Sequence, residues 1–182
     1  MLTEQQFRDE LRIFVEKMNE NNINWKLQEN GQTARESHLV ELPDGEFVTQ
    51  DSHIIYNSTY QTPTLWFNFH AKSWFFSVHF DVRVFCGLGI LNYDSFSGAP
   101  IDIETVERDL LKIPKTESTA SIRTRISQYE HPFLGVLYYN IHPCQTSQLM
   151  KELKLGEGTW LMSWLSVYGQ QIGLRIPDIQ NL

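Results

Sequence analysis

Apolar residues recur at helical spacing from the start of the chain, at Phe7, Leu11, Phe14, Val15 and Met18. That spacing places them on one stripe of an amphipathic helix. Thr3, with Gln6 three residues on, has the form of a capping box at its beginning. The pattern then changes to strand-like runs over residues 23–29, 38–42, 46–56 and 65–70, with Pro43-Asp44-Gly45 as a turn between the second and third. The clearest alternation covers 74–84, where Phe76, Val78, Phe80, Val82 and Val84 alternate with Ser77, His79, Asp81 and Arg83. A period of two predicts a half-buried strand. Ala71-Lys72-Ser73 leaves a hairpin-length gap before it, so the first half reads as an antiparallel meander.

Beyond the glycines at 87 and 89 the spacing lengthens again. Asp102 can cap a helix carrying Val106, Leu110 and Leu111, which Pro114 stops. Ile122, Ile126 and Tyr129 predict a short helical segment before His131-Pro132, and 136–141 has the branched and aromatic content of a short strand. Leu149, Met150 and Leu153 mark one further helix; Trp160, Leu161, Trp164, Leu165 and Tyr168 mark another, ending at Gly169. The polar stretches 19–22, 95–100 and 115–118 are loops rather than interdomain linkers. The expectation is an α+β fold in a single domain over 1–182, with an N-terminal helix on an antiparallel meander and helices after it.

Composition agrees with one domain: 182 residues can bury one substantial core, and 41% hydrophobic residues with 20% charged ones supply it. The net charge of −7 with Lys and Arg scattered singly argues against nucleic acid as a partner. No secretory leader or uncharged bilayer-length run is seen, so a cytoplasmic protein without a transmembrane segment is expected. In that setting the sequon Asn57-Ser58-Thr59 is fortuitous.

Candidate chemistry is sparse. His38, His53, His70 and His79 lie in strand-like segments without zinc-ligand spacing, the carboxylates are dispersed, and Gly87-Leu88-Gly89 is too short for a phosphate loop. The aromatics Trp66, Phe67, Phe69, Trp74, Phe75 and Phe76 read as core. Cys86 and Cys144 form no C-x-x-C pair, so both are expected to be free thiols, and Cys86, at the end of a strand, reads as packing. Cys144 differs. It precedes Gln145-Thr146-Ser147 and an apolar helical repeat, at or just before a helix N-terminus, where backbone amides favour a thiolate. Pro143 restrains the backbone immediately before it, and His142 is close enough in sequence to share its surroundings.

The string from His131-Pro132-Phe133 to Asn140-Ile141-His142-Pro143-Cys144-Gln145-Thr146, followed by Met150, resembles the autophagy-related E2-like conjugating enzymes, whose active-site signature is His-Pro-Cys. Tyr56-Asn57-Ser58-Thr59-Tyr60-Gln61-Thr62-Pro63 is similar to that family's Tyr-x-x-x-Tyr-x-x-Pro strand element, and Trp164-Leu165-Ser166 to Gly173-Leu174 to its C-terminal helix. The resemblance implies an E2-like fold and a catalytic Cys144 that carries a ubiquitin-like autophagy modifier as a thioester. Cys144 would receive the modifier from an E1-like activating enzyme and pass it to a lysine of an acceptor protein, with no metal or organic cofactor. Lacking a long acidic insertion, the chain looks more like the branch that joins the modifier numbered twelve to the acceptor numbered five than like the lipid-conjugating branch. Ordinary ubiquitin-conjugating enzymes carry a His-Pro-Asn triplet upstream of the cysteine; this chain has none, and His131-Pro132 occupies the nearest comparable place. His131 is thus one candidate supporting residue, His142 beside the cysteine is another, and the resemblance adds Tyr56, which matches a tyrosine that the family uses near the thioester. A non-catalytic module that binds ubiquitin-like proteins, a cysteine hydrolase and a lipid-conjugating enzyme are the rival readings.

Overall fold

A computed structural model describes residues 1–29, 31–71, 100–111, 126–152 and 160–177. Helix α1 (Glu4–Glu20) opens the chain with the expected capping box: the Thr3 hydroxyl accepts from the Gln6 amide, and the Gln6 side chain accepts from the Thr3 amide. Phe7, Leu11, Phe14 and Met18 are buried along one stripe, as their spacing requires.

Strands β1 (Lys26–Leu27), β2 (Thr33–Glu41), β3 (Phe47–Asn57) and β4 (Thr62–Ala71) follow as an antiparallel meander. The Pro43-Asp44-Gly45 turn closes β2 on β3: Gly45 takes φ +84°, and Asp44 Oδ1 accepts from the Glu46 amide. Strand β2 starts five residues earlier than its apolar pattern indicates, because Thr33 and Glu36 are buried polar residues that break the alternation. Only two residues of the 23–29 stretch pair as a strand. The 74–84 segment and Cys86 lie outside the described residues.

Among the described residues of the second half, one element differs in kind from expectation. Ile126 and Tyr129, read as helical, belong to β5 (Ile126–Glu130), which pairs antiparallel with β6 (Leu137–Ile141). Apolar residues three and four apart satisfy a helix stripe, but the hairpin with β6 satisfies this backbone instead. Strand β6 also pairs with β4 at Trp66 and Phe67, giving the sheet order β1-β2-β3-β4-β6-β5 among the described residues. That junction is short, because farther along β4 the Phe69 carbonyl accepts from the Ile101 amide. Ile101 leads into α2 (Ile103–Thr105), capped by Asp102 as expected, and on into a π-helical turn (Val106–Leu110).

Helix α3 (Thr146–Glu152) and helix α4 (Trp160–Tyr168) complete the described elements, with a 3₁₀ turn (Gly169–Ile172) extending α4 beyond the expected stop at Gly169. Directly paired strand residues share a sheet face. One face, carrying Ala34, Ile54, Leu65, Phe67, Phe69, Tyr139 and Ile141, joins Phe7, Leu11, Phe14, Trp164 and Leu165 in the main core. The other carries Arg35, Ser37, Asp51, His53 and Tyr138.

Candidate active site

Strand β6 ends at Ile141, and the chain turns at once into a 3₁₀ segment (Pro143–Gln145) that runs into α3. Proline dictates this turn. The residue before it is pushed to an extended backbone, and His142 sits at φ −62°, ψ 128°. Pro143 itself has no N–H, so the first amide available to cap the turn is that of Cys144. It donates to His142 Nδ1 at 3.2 Å. In the neutral ring the proton therefore belongs on Nε2, making His142 a backbone cap with one remaining donor.

Cys144 is an exposed free thiol at the second position of this turn rather than on a long helix end. Two contacts hold its frame. The Tyr60 ring meets the His142 ring edge-on, centroids 5.3 Å apart. The buried Thr146 hydroxyl donates to the Tyr168 oxygen at 3.2 Å, tying the first residue of α3 to α4. Neither Tyr60 nor Thr146 was identified as a supporting residue from sequence, because each acts across the fold and carries no local chemical signal. For Tyr60, the Tyr-x-x-x-Tyr spacing was the available clue.

Tyr56 lies at the same end of the sheet but on the helix-covered face. Its ring packs on Phe7, and its hydroxyl donates to the Leu2 carbonyl at 2.8 Å. Burial, with Glu4 nearby, raises its pKa above the ordinary phenol value. The Leu2 amide in turn donates to the Gln61 carbonyl, so Tyr56 fastens the N-terminus to the β3–β4 turn that presents Tyr60.

His131 is placed elsewhere. It starts the β5–β6 turn, so the whole of β6, five residues or about 17 Å of strand, separates it from the Cys144 turn. It is 1% exposed, and its Nδ1 accepts from the Phe133 amide at 3.3 Å. Its Nε2 is 3.0 Å from His53 Nδ1, and His53 Nε2 is 3.2 Å from Asp51 Oδ2. Burial, with His53 and Arg35 nearby, lowers the His131 pKa to about 3 against the opposing pull of Asp51. Burial alone would raise the Asp51 pKa, but bonds from His53, Arg35 and Ser37 hold it well below the ordinary carboxylate range. The structure thus joins Cys144 with His142 and Tyr60, and keeps His131 apart. Among the described residues no cluster of His, Cys, Asp and Glu could hold a metal ion, and no helix is long and apolar enough to cross a membrane.

Comparison with known proteins gives this geometry a family. The chain is 28% identical over 158 residues to the ubiquitin-like-conjugating enzyme ATG10 of Arabidopsis thaliana, covering 82% of this chain and 60% of that protein. It is 28% identical over 138 residues to the protein of the same name from Dictyostelium discoideum, covering 68% of this chain and 50% of that one. The chain therefore spans about half to three-fifths of the length of these relatives. Its fold is shared with a solved structure described as the autophagic E2 Atg10, with a TM-score of 0.57 at 13% identity over 95% of this chain and 98% of that one. The model of the autophagocytosis-associated protein, active-site domain family matches residues 6–179, and the chain belongs to that family.

Proposed function

We propose that this chain is an E2-like conjugating enzyme of autophagy, acting in the cytoplasm, in which Cys144 carries a ubiquitin-like modifier as a thioester. The observation that carries the reading is the exposed Cys144 thiol on a His-Pro-Cys turn whose backbone is pinned by His142. Family membership and the names of the relatives support it.

In the first step the Cys144 thiolate attacks the thioester carbonyl between the modifier and an E1-like activating enzyme. A new C–S bond forms at Cys144, and the activating enzyme's thiolate leaves. In the second, a lysine amine of an acceptor protein attacks that carbonyl and loses a proton as the isopeptide bond forms. The Cys144 thiolate departs and regains a proton. Thioester exchange is nearly neutral in free energy and amide formation is downhill, so the enzyme's work lies in positioning the two groups and stabilising the developing oxyanion. His142, with Nδ1 engaged, serves this as an orienting cap and an Nε2–H donor rather than as a base. The modifier is of the twelve type and the acceptor of the five type, by the sequence resemblance.

Trapping tests the proposal. Incubation with activating enzyme, ATP and modifier is expected to give a reductant-sensitive adduct on the wild type and a reductant-stable oxyester on Cys144→Ser. Absence of both defeats the proposal, and release of a free modifier C-terminus without transfer marks a hydrolase. Replacing the acceptor protein by amine-bearing liposomes separates lipid conjugation from protein conjugation.

A further inference from the structure

On the sheet face opposite the main core, Asp51 gathers four side chains. Arg35 approaches its two oxygens at 2.8 and 3.2 Å, and the Ser37 and Tyr138 hydroxyls each donate at 2.6 Å. His53 completes the set, and His131 extends it to the β5–β6 turn. The His131 ring is enclosed by His53, Tyr138, Trp66 and Phe133. The network thus reaches from β2 and β3 to β6, whose ladder contact with β4 is confined to Trp66 and Phe67.

Proton placement has one solution. The Phe133 amide donates to His131 Nδ1, so a neutral His131 carries its proton on Nε2 and gives it to His53 Nδ1. His53 must then be protonated on Nε2, which faces the Asp51 carboxylate. A further proton on His131 Nδ1 would confront the Phe133 N–H, and one on His53 Nδ1 would confront the His131 N–H. Either cation breaks a bond that the neutral pair makes.

We propose that Asp51, His53 and His131 form a clasp that holds the β5–β6 hairpin, which leads into the Cys144 turn, on the meander, closed while the buried His131 imidazole is neutral. Acid therefore frees the hairpin before it loosens the meander. The charged and titratable groups facing the clasp are Arg35 from β2, Asp51 from β3 and Tyr138 from β6; Trp66 faces it from β4. Its effect on catalysis, by shifting the turn at the far end of β6, rests on the reading of Cys144 as the thioester residue.

Amide hydrogen exchange on the full chain tests the clasp, with rates corrected for intrinsic pH dependence. Between pH 6.5 and 5.5, protection over Leu137–Ile141 is expected to fall up to about 5-fold in the wild type while β2 and β3 keep theirs, since an opened hairpin lets His131 take up the proton that the closed one refuses. His131→Asn keeps the acceptor for the Phe133 amide but cannot reach His53, so its hairpin should exchange fast at pH 7. His131→Gln keeps the donor to His53 and can flip its amide to accept instead, so its protection should stay high and nearly independent of pH. Wild-type protection that is flat with pH, or that falls equally in β2, β3 and β6, overturns the proposal whether or not His131→Asn folds. Thioester formation by the same samples separates the two readings: an intact pH response without thioester would defeat the role of Cys144 and leave the clasp standing.

Discussion

The chain contains two His-Pro turns with the same local construction and opposite surroundings. At His131-Pro132-Phe133 and at His142-Pro143-Cys144, proline withholds its amide, and the histidine Nδ1 accepts the next one, at 3.3 and 3.2 Å. At the first turn the far side of the imidazole enters a buried relay ending on Asp51. At the second the imidazole packs edge-to-face with the exposed Tyr60, and the residue it caps is a solvent-facing thiol. One turn is built to be held and the other to be reached, although their local sequences look alike. A His-Pro pair therefore reports a backbone cap, and only what lies beyond the imidazole decides between structural and chemical use.

Substitutions can break this contrast, and the largest effect is expected at the thiol. Cys144→Ala should abolish the thioester adduct completely while leaving the unfolding midpoint in urea close to wild type, because an exposed side chain contributes little packing. At the held turn the expectation reverses. Asp51→Ala removes the shared acceptor of Arg35, Ser37, His53 and Tyr138, and should cost roughly 3–5 kcal/mol in urea unfolding, the range for breaking a buried charged pair. Arg35 keeps partial access to water, so the lower end of that range is expected.

Acid titration sharpens the same point. His131 has a folded pKa of about 3 against 6.5 for the free group, so its contribution is fully present above pH 6.5 and is lost as pH falls toward 3. In that window the unfolded chain binds a proton that the folded chain refuses, and stability should fall by up to ~1.4 kcal/mol per pH unit. Asp51, held below the ordinary carboxylate range, adds a loss of the same sign below about pH 4. His131→Gln should flatten the upper part of the curve measured by urea melts at stepped pH. The smallest effect is expected at the exposed cap. His142→Ala should cost about 1 kcal/mol of stability, as the loss of a capping bond does, and slow single-turnover thioester formation. His142→Asn, whose Oδ1 can take the place of Nδ1, should recover most of both.

Much of the fold was legible because it rests on local rules. The capping box and stripe of α1, the turn at Pro43-Asp44-Gly45, the antiparallel succession of β2 to β4 and the β6 strand before the cysteine all follow from spacing and turn chemistry. Strand β5 was not legible, since the Ile126 and Tyr129 spacing suits a helix and only pairing with β6 selects the strand. The early start of β2 was hidden for a related reason: Arg35 and Ser37 point into a polar network, so the strand lacks the alternation that normally reveals it.

The same division runs through the site. From sequence came the thiol, its proline-restrained turn and its neighbouring histidine, all within three consecutive positions. Tertiary structure alone decided that Tyr60, far back in the chain, meets His142, that Tyr56 spends its hydroxyl on the Leu2 carbonyl, and that His131 bonds to His53 instead of approaching Cys144. The reason is physical. A cap or a turn is satisfied by atoms two or three residues away and leaves its mark in the local sequence, whereas a buried imidazole takes its protonation and its purpose from whatever the folded sheet brings against it.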